Sequence, residues 1–111
     1  MAIDNVEIID MLAEGKKGTE LVLGITDHLD WENEHEHLML LQEKLNTYLI
    51  FVESKQYSEI YPDKSYDSYL INIYFAYDIP ESCEQFLDYV LNCANDQLSP
   101  LIFKITAEIV G

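Results

Sequence analysis

The sequence predicts an α+β fold: a two-layer sandwich of order β-β-α-β-α-β, with a four-stranded mixed sheet and two helices on one face. Three observations lead there. Residues 19–26, 69–77 and 101–110 alternate along the chain with the period of a strand. Residues 34–53 and the stretch after Pro80 repeat apolar side chains at spacings of three and four, the period of a helix. The first two strands are joined too briefly for anything but a hairpin, whereas the later strand–helix–strand run favours a right-handed crossover and a parallel pair.

Residues 6–12 are expected to form the first strand. Residues 13–18 follow as a turn in which Gly15 and Gly18 are free to take positive φ. In the second strand, residues 19–26, Leu21, Leu23 and Ile25 share a face, and Gly24 marks a bulge or a close approach. The polar passage 27–33 holds the single Trp, and Asp30 or Asn33 is placed to cap the helix behind it. In the first helix, residues 34–53, Leu38, Leu41, Leu45, Tyr48, Leu49 and Val52 make one stripe. Two further ridges, Met39 with Ile50 and Leu40 with Phe51, lie off that stripe and must be wrapped by loops or by a second chain.

The connection 54–68 carries Tyr57, Tyr61 and Tyr66, with Pro62 and Asp63 as turn residues. Loops of this length are commonly functional; the tyrosines either offer contact area to a partner or fold back over the rim of the core. The third strand, residues 69–77, sets Tyr69, Ile71, Ile73, Phe75 and Tyr77 on one face. Pro80 opens the second helix, whose buried stripe is Cys83, Phe86, Leu87, Val90 and Ala94, with Glu81, Glu84, Asp88 and Asn92 outward. The last strand, residues 101–110, points Leu101, Phe103, Ile105, Ala107 and Ile109 one way.

At 111 residues, nearly half of them apolar or aromatic, the chain is expected to be one domain with a real core. Its acidity is therefore not that of a disordered tail. The acidic first residues do not resemble a secretory signal, and no apolar run approaches a membrane span, so the expected location is cytoplasmic. Cys83 and Cys93 lie ten positions apart in one helix. Roughly 15 Å of axial rise separates them, too far for a disulfide.

Twenty-one Asp and Glu stand against six Lys and no Arg, a formal charge of −15. Such a field repels phosphate backbones and anionic lipids and attracts basic surfaces, so nucleic acid and membrane are excluded as expected partners. Lys16 and Lys17 are the only adjacent bases, and a solvated hairpin tip accounts for them.

Residues 27–37 gather all three His and several acids, the usual hard-to-borderline ligands. His35 and His37 point about 200° apart on a helix and cannot share an ion. Glu34 with His37 is a chelating spacing, and His28 could reach in from the preceding turn. Acid pairs are too abundant here to signal general acid–base chemistry. No nucleophile elbow and no phosphate-binding Gly-rich loop is present. The expectation is a non-enzymatic protein without a cofactor.

The run Gly24-Ile25-Thr26-Asp27-His28-Leu29-Asp30-Trp31, then Glu36-His37-Leu38 and Leu41-Gln42-Glu43-Lys44-Leu45-Asn46, resembles a family of small bacterial proteins catalogued as a domain of unknown function. The resemblance runs from the first strand through Tyr61-Pro62 and more loosely to the end. It implies a bacterial cytoplasmic protein and brings no activity or active site with it.

The expected function is a protein-binding module, similar to an immunity or antidote protein towards a basic partner. Asp27, Asp30, Trp31, Glu32, Glu34, Tyr57, Tyr61, Tyr66, Glu81, Glu84 and Asp88 would meet that partner. The alternative is a metal-binding module on His28, Glu34 and His37. A homodimer through Met39, Leu40, Ile50 and Phe51 is compatible with either.

Overall fold

In a computed structural model, which describes residues 9–15, 18–62, 66–97 and 102–110, the alternating segments form one sheet. Its strands are β1 (Met11–Glu14), β2 (Glu20–Asp27), β3 (Ser68–Phe75) and β4 (Ile102–Ile109), side by side in that order. β1 runs antiparallel to β2, while β2, β3 and β4 are mutually parallel. Helix α1 (Glu34–Glu53) connects β2 to β3, and α2 (Glu81–Gln97) connects β3 to β4. The chain is therefore an α+β fold with an open mixed sheet and two helices, in the order β-β-α-β-α-β.

Register and period together decide what is buried. Leu21, Leu23 and Ile25 of β2 stand beside Tyr69, Ile71 and Ile73 of β3 and are fully shielded from water. From above they meet Leu41, Leu45, Tyr48 and Val52 of α1 and Cys83, Leu87 and Ala94 of α2 in one core. Each fully buried Leu or Ile contributes about 1.5–3 kcal/mol to folding. The stripe read from the sequence is thus the face by which α1 covers the sheet.

The β1–β2 hairpin differs from expectation in position. Residues 6–8 of the expected first strand lie outside the described residues, and pairing runs on through Glu14, opposite Leu21. The Gly15 amide then bonds to the Glu20 carbonyl and Gly18 takes φ 71°, so the strands part after Glu14 rather than before residue 13. Gly24 is a close approach: a Cβ there would lie 2.3 Å from Met11 Cε on the neighbouring strand.

The connection after α1 is not a free loop. Gln56–Glu59 forms a 3₁₀ turn, entered through Lys55 at positive φ, and it delivers Tyr57 inward. Tyr57 meets Phe51 edge-on, with ring centroids 6.4 Å apart. Phe51 is consequently buried, because the chain's own loop wraps that ridge. Met39 and Ile50 remain exposed, and Leu40 is half-buried.

β4 also departs from its pattern. Phe103 is buried and Ile105 half-buried, but Ala107 and Ile109, on the same face, are exposed. Leu101 lies outside the described residues. Both cysteines are free thiols. Among the described residues no helix is long and apolar enough to cross a membrane.

Candidate functional site

Parallel pairing brings the ends of β2 and β3 to one edge, Asp27 beside Phe75, with the Ala76 amide bonded to the Asp27 carbonyl. Both helices start from the loops that leave this edge. Ser82 at the start of α2 donates a hydrogen bond to Glu34 at the start of α1, which locks the two helix beginnings together. In an open sheet with parallel strands, the crevice outside their carboxyl ends is the usual place for a ligand.

A buried pair anchors this rim. The alternation of β2 continues past Ile25, so Asp27 points inward, and the stripe of α1 brings His37 to meet it. His37 Nε2 lies 2.5 Å from Asp27 Oδ2, and both residues are 2 % exposed. On the other side of the ring, Nδ1 lies 2.9 Å from the Asp30 carbonyl. A carbonyl can only accept, so Nδ1 carries a proton and donates it. Asp27 Oδ1 also accepts the Leu29 amide. Burial pushes the Asp27 carboxyl above its ordinary range, against the pull of the His37 hydrogen bond and charge.

Trp31 stacks on the His37 ring, centroids 3.6 Å apart, and leans on Phe75 at 6.1 Å. Its indole nitrogen is buried with no acceptor among the described residues. Asn33 caps α1, accepting the Glu36 amide while its own amide donates to the Glu36 carboxylate at 2.9 Å. Asp30 accepts the Glu32 amide. Segment 27–33 is thereby tied down at nearly every residue.

This frame holds a charged surface. Asp30, Glu32, Glu34 and Glu36 on one side and Asp78, Glu81 and Glu84 on the other are exposed, and no Lys lies within residues 27–36 or 76–84. The positive poles of two helices face the same rim and temper its mutual repulsion. Beneath it, burial pushes the Cys83 thiol up to about 12, helped by Asp27, Glu84 and Glu34, so Cys83 is an inert core residue. Between the 27–33 loop and α1 opens a pocket of about 260 Å³, lined by Leu29, Asp30, Asn33, Glu36, His37 and Leu40. It combines apolar walls with carboxylates at its mouth.

The expected metal ligands do not assemble. Both nitrogens of His37 are already committed within the chain, His28 is exposed, and Glu34 turns to Ser82. Among the described residues no three His, Cys, Asp or Glu side chains are placed to hold an ion.

The expected partner-facing residues divide. Asp30, Glu32, Glu34, Glu81 and Glu84 gather at the rim, with Trp31 as its support and Asp88 exposed a turn further along α2. Asp27 is inside, bound to His37. Tyr57 and Tyr66 are 3 % and 4 % exposed and lie at the opposite end of the sheet. There they pack on each other at 5.2 Å and on Tyr69, whose ring stacks on Phe103. Tyr66 also donates to Glu14 at 2.6 Å, and Tyr61 is half-buried against the same core. These rings face inward because a tyrosine can bury its ring while its hydroxyl finds a partner at the margin.

A second buried network was not foreseen. Lys44, on the sheet-facing side of α1, is fully buried and its ammonium lies 2.8 Å from Asp10 Oδ1. Asp10 Oδ2 accepts from the Thr26 amide at 3.1 Å, and the Asp10 amide donates to the Tyr48 hydroxyl at 2.8 Å. That hydroxyl in turn donates to the Gly24 carbonyl. The signal was available: Lys44 falls between Leu41 and Tyr48 on the apolar stripe, where a charge needs a buried counter-charge.

A family model described as a family of unknown function, DUF6572, matches residues 1–109. No curated protein and no solved structure matches the chain.

Proposed function

Since the chain belongs to DUF6572, a family of unknown function that lends it no activity, we propose from the geometry that it is a non-enzymatic module that binds the basic surface of another protein. The observation that carries this reading is the rim at the carboxyl ends of β2 and β3. Exposed acids from both helix starts share it with a pocket whose walls suit an alkyl stem and whose mouth suits a cation. A lysine or arginine side chain has that character. Asp30 and Glu36 receive the cation, Leu29 and Leu40 the stem, and Glu32, Glu34, Glu81 and Glu84 steer the approach. The locked Asp27–His37–Trp31 frame keeps the rim in place before the partner arrives, which lowers the ordering cost of binding. A protein of this kind would act as an immunity or antidote protein acts on a basic toxin, by covering a cationic groove.

The test is titration of a fluorescent oligolysine peptide into the full chain. Binding is expected to weaken as salt rises, and to fall roughly tenfold in a variant carrying Asp30→Asn and Glu36→Gln. The control carries Glu53→Gln and Glu59→Gln, the same charge change away from the rim, and is expected to bind as the wild type does. Equal losses in the two variants would reduce the effect to net charge and remove the site.

A further inference from the structure

We propose that the free edge of β4 pairs with β4 of a second copy, antiparallel and centred on Thr106, to join two four-stranded sheets into one. β4 is the outermost strand. The amides of Ile102 and Val110 bond inward to the Asp67 and Phe75 carbonyls. The backbone of the even-numbered residues therefore faces β3, and that of Phe103, Ile105, Ala107 and Ile109 faces outward. Asn95 of α2 takes up the outward groups of Phe103, accepting its amide at 2.9 Å and donating to its carbonyl. Among the described residues nothing meets the outward groups of Ile105, Ala107 and Ile109. Around them Ile102, Ile109 and Val110 are 54 %, 47 % and 64 % exposed.

The sequence of the strand selects both occupant and register. With Thr106 opposite Thr106 of the second copy, Lys104 stands opposite Glu108 and Ile102 opposite Val110 on the open face. On the helix-covered face Phe103 stands opposite Ile109 and Ile105 opposite Ala107. Every apolar residue then meets an apolar one, and each charge meets its opposite, on both sides of the two-fold axis. The neighbouring registers with the same outward residues oppose Ile102 to Glu108, or Lys104 to Val110. Ile105 and Ala107 exchange backbone hydrogen bonds with their counterparts, and Asn95 ends the ladder at Phe103. Lys104 is 62 % exposed and only 3.9 Å from its nearest internal carboxylate, Glu20, so it can turn to the seam.

Sedimentation equilibrium of the full chain, from low micromolar to millimolar protein, is expected to show monomers giving way to dimers. Rising salt should favour the dimer, since each copy carries −15. Ala107→Pro removes an outward amide that the monomer does not use, so it is expected to keep the wild-type circular dichroism and remain monomeric. Glu108→Lys is the decisive variant. It makes the chain less acidic, so general repulsion alone would strengthen association. The introduced ammonium would instead face Lys104 at both ends of the seam, and that clash should weaken association roughly tenfold. Lys104→Glu should weaken it as well. An equimolar mixture of these two single variants should associate again, because each supplies the charge the other lacks. A monomer at all concentrations, a dimer indifferent to Ala107→Pro, or charge variants that do not rescue one another would overturn the proposal.

Discussion

Replacing Lys44 by Met keeps the length of the side chain and removes its charge, which makes it a direct probe of the buried network under β1 and β2. Lys44 is fully buried and Asp10 nearly so, 2 % exposed at its side chain, with 2.8 Å between the charges. After Lys44→Met the Asp10 carboxylate keeps the Thr26 amide and hydroxyl as donors but loses the ammonium it was paired with. Removing one member of a buried pair costs about 3–5 kcal/mol, most of it the desolvation of the charge left behind. Against a total of about 5–15 kcal/mol for a domain of this kind, that is about a fifth of the stability at the least and most of it at the upper end. Asp10→Asn in the same background removes the stranded charge while its side-chain oxygen still accepts from Thr26. The double variant should therefore recover about 2 kcal/mol over Lys44→Met alone. Urea unfolding followed by far-ultraviolet circular dichroism, run as a double-mutant cycle, reads both quantities. A loss under about 1 kcal/mol for Lys44→Met, or additive single changes, would refute the claim that these two charges stabilise the fold as a pair.

Tyr48→Phe should cost about 2 kcal/mol in the same assay, since one hydroxyl serves both the Asp10 amide and the Gly24 carbonyl, and a loss near zero would contradict the geometry. For Asp27 the sign follows from burial. The folded chain holds this carboxyl's proton more tightly than the unfolded chain, so its contribution to stability is full below the ordinary carboxylate range and is lost as pH rises through the raised folded value. Asp27→Asn keeps an acceptor for the Leu29 amide and offers a donor to His37, so it should flatten that part of the curve. Asp27→Ala should cost about 1–3 kcal/mol. Urea midpoints measured against pH, with the single Trp31 as the reporter stacked on His37, would show an unchanged slope in Asp27→Asn if the assignment were wrong.

The architecture was largely legible because it rests on periodicity. The span of α1 agrees with its 3.6-residue pattern at both ends, and the alternation of β2 and β3 names the residues that the core buries. The candidate site was legible only as composition. Residues 27–37 stood out as His and acid, but which of them turn inward depends on the same periods applied to polar residues. Asp27 continues the inward series Leu21, Leu23, Ile25, and His37 and Lys44 lie on the stripe with Leu41 and Tyr48. A charge on an apolar face is a demand for a partner, and the partners, Asp10 and Asp27, are 34 and 10 residues away. Sequence spacing cannot supply such long-range pairings. It also could not tell that Tyr57 would swing inward over Phe51, nor that the last residues of β4 would stay uncovered. Both are matters of how far one element reaches over another.

The grip of Asn95 on Phe103 bears on how the molecule avoids clumping. An uncapped outer strand invites successive chains to zip on, which is how cross-β fibres begin. By occupying the outward groups of Phe103 with a side chain, the helix denies an incoming strand the most apolar stretch of β4. At the other border of the sheet, β1 pairs over four residues among those described. Runaway polymerisation is therefore discouraged from within the fold, at the expense of one asparagine.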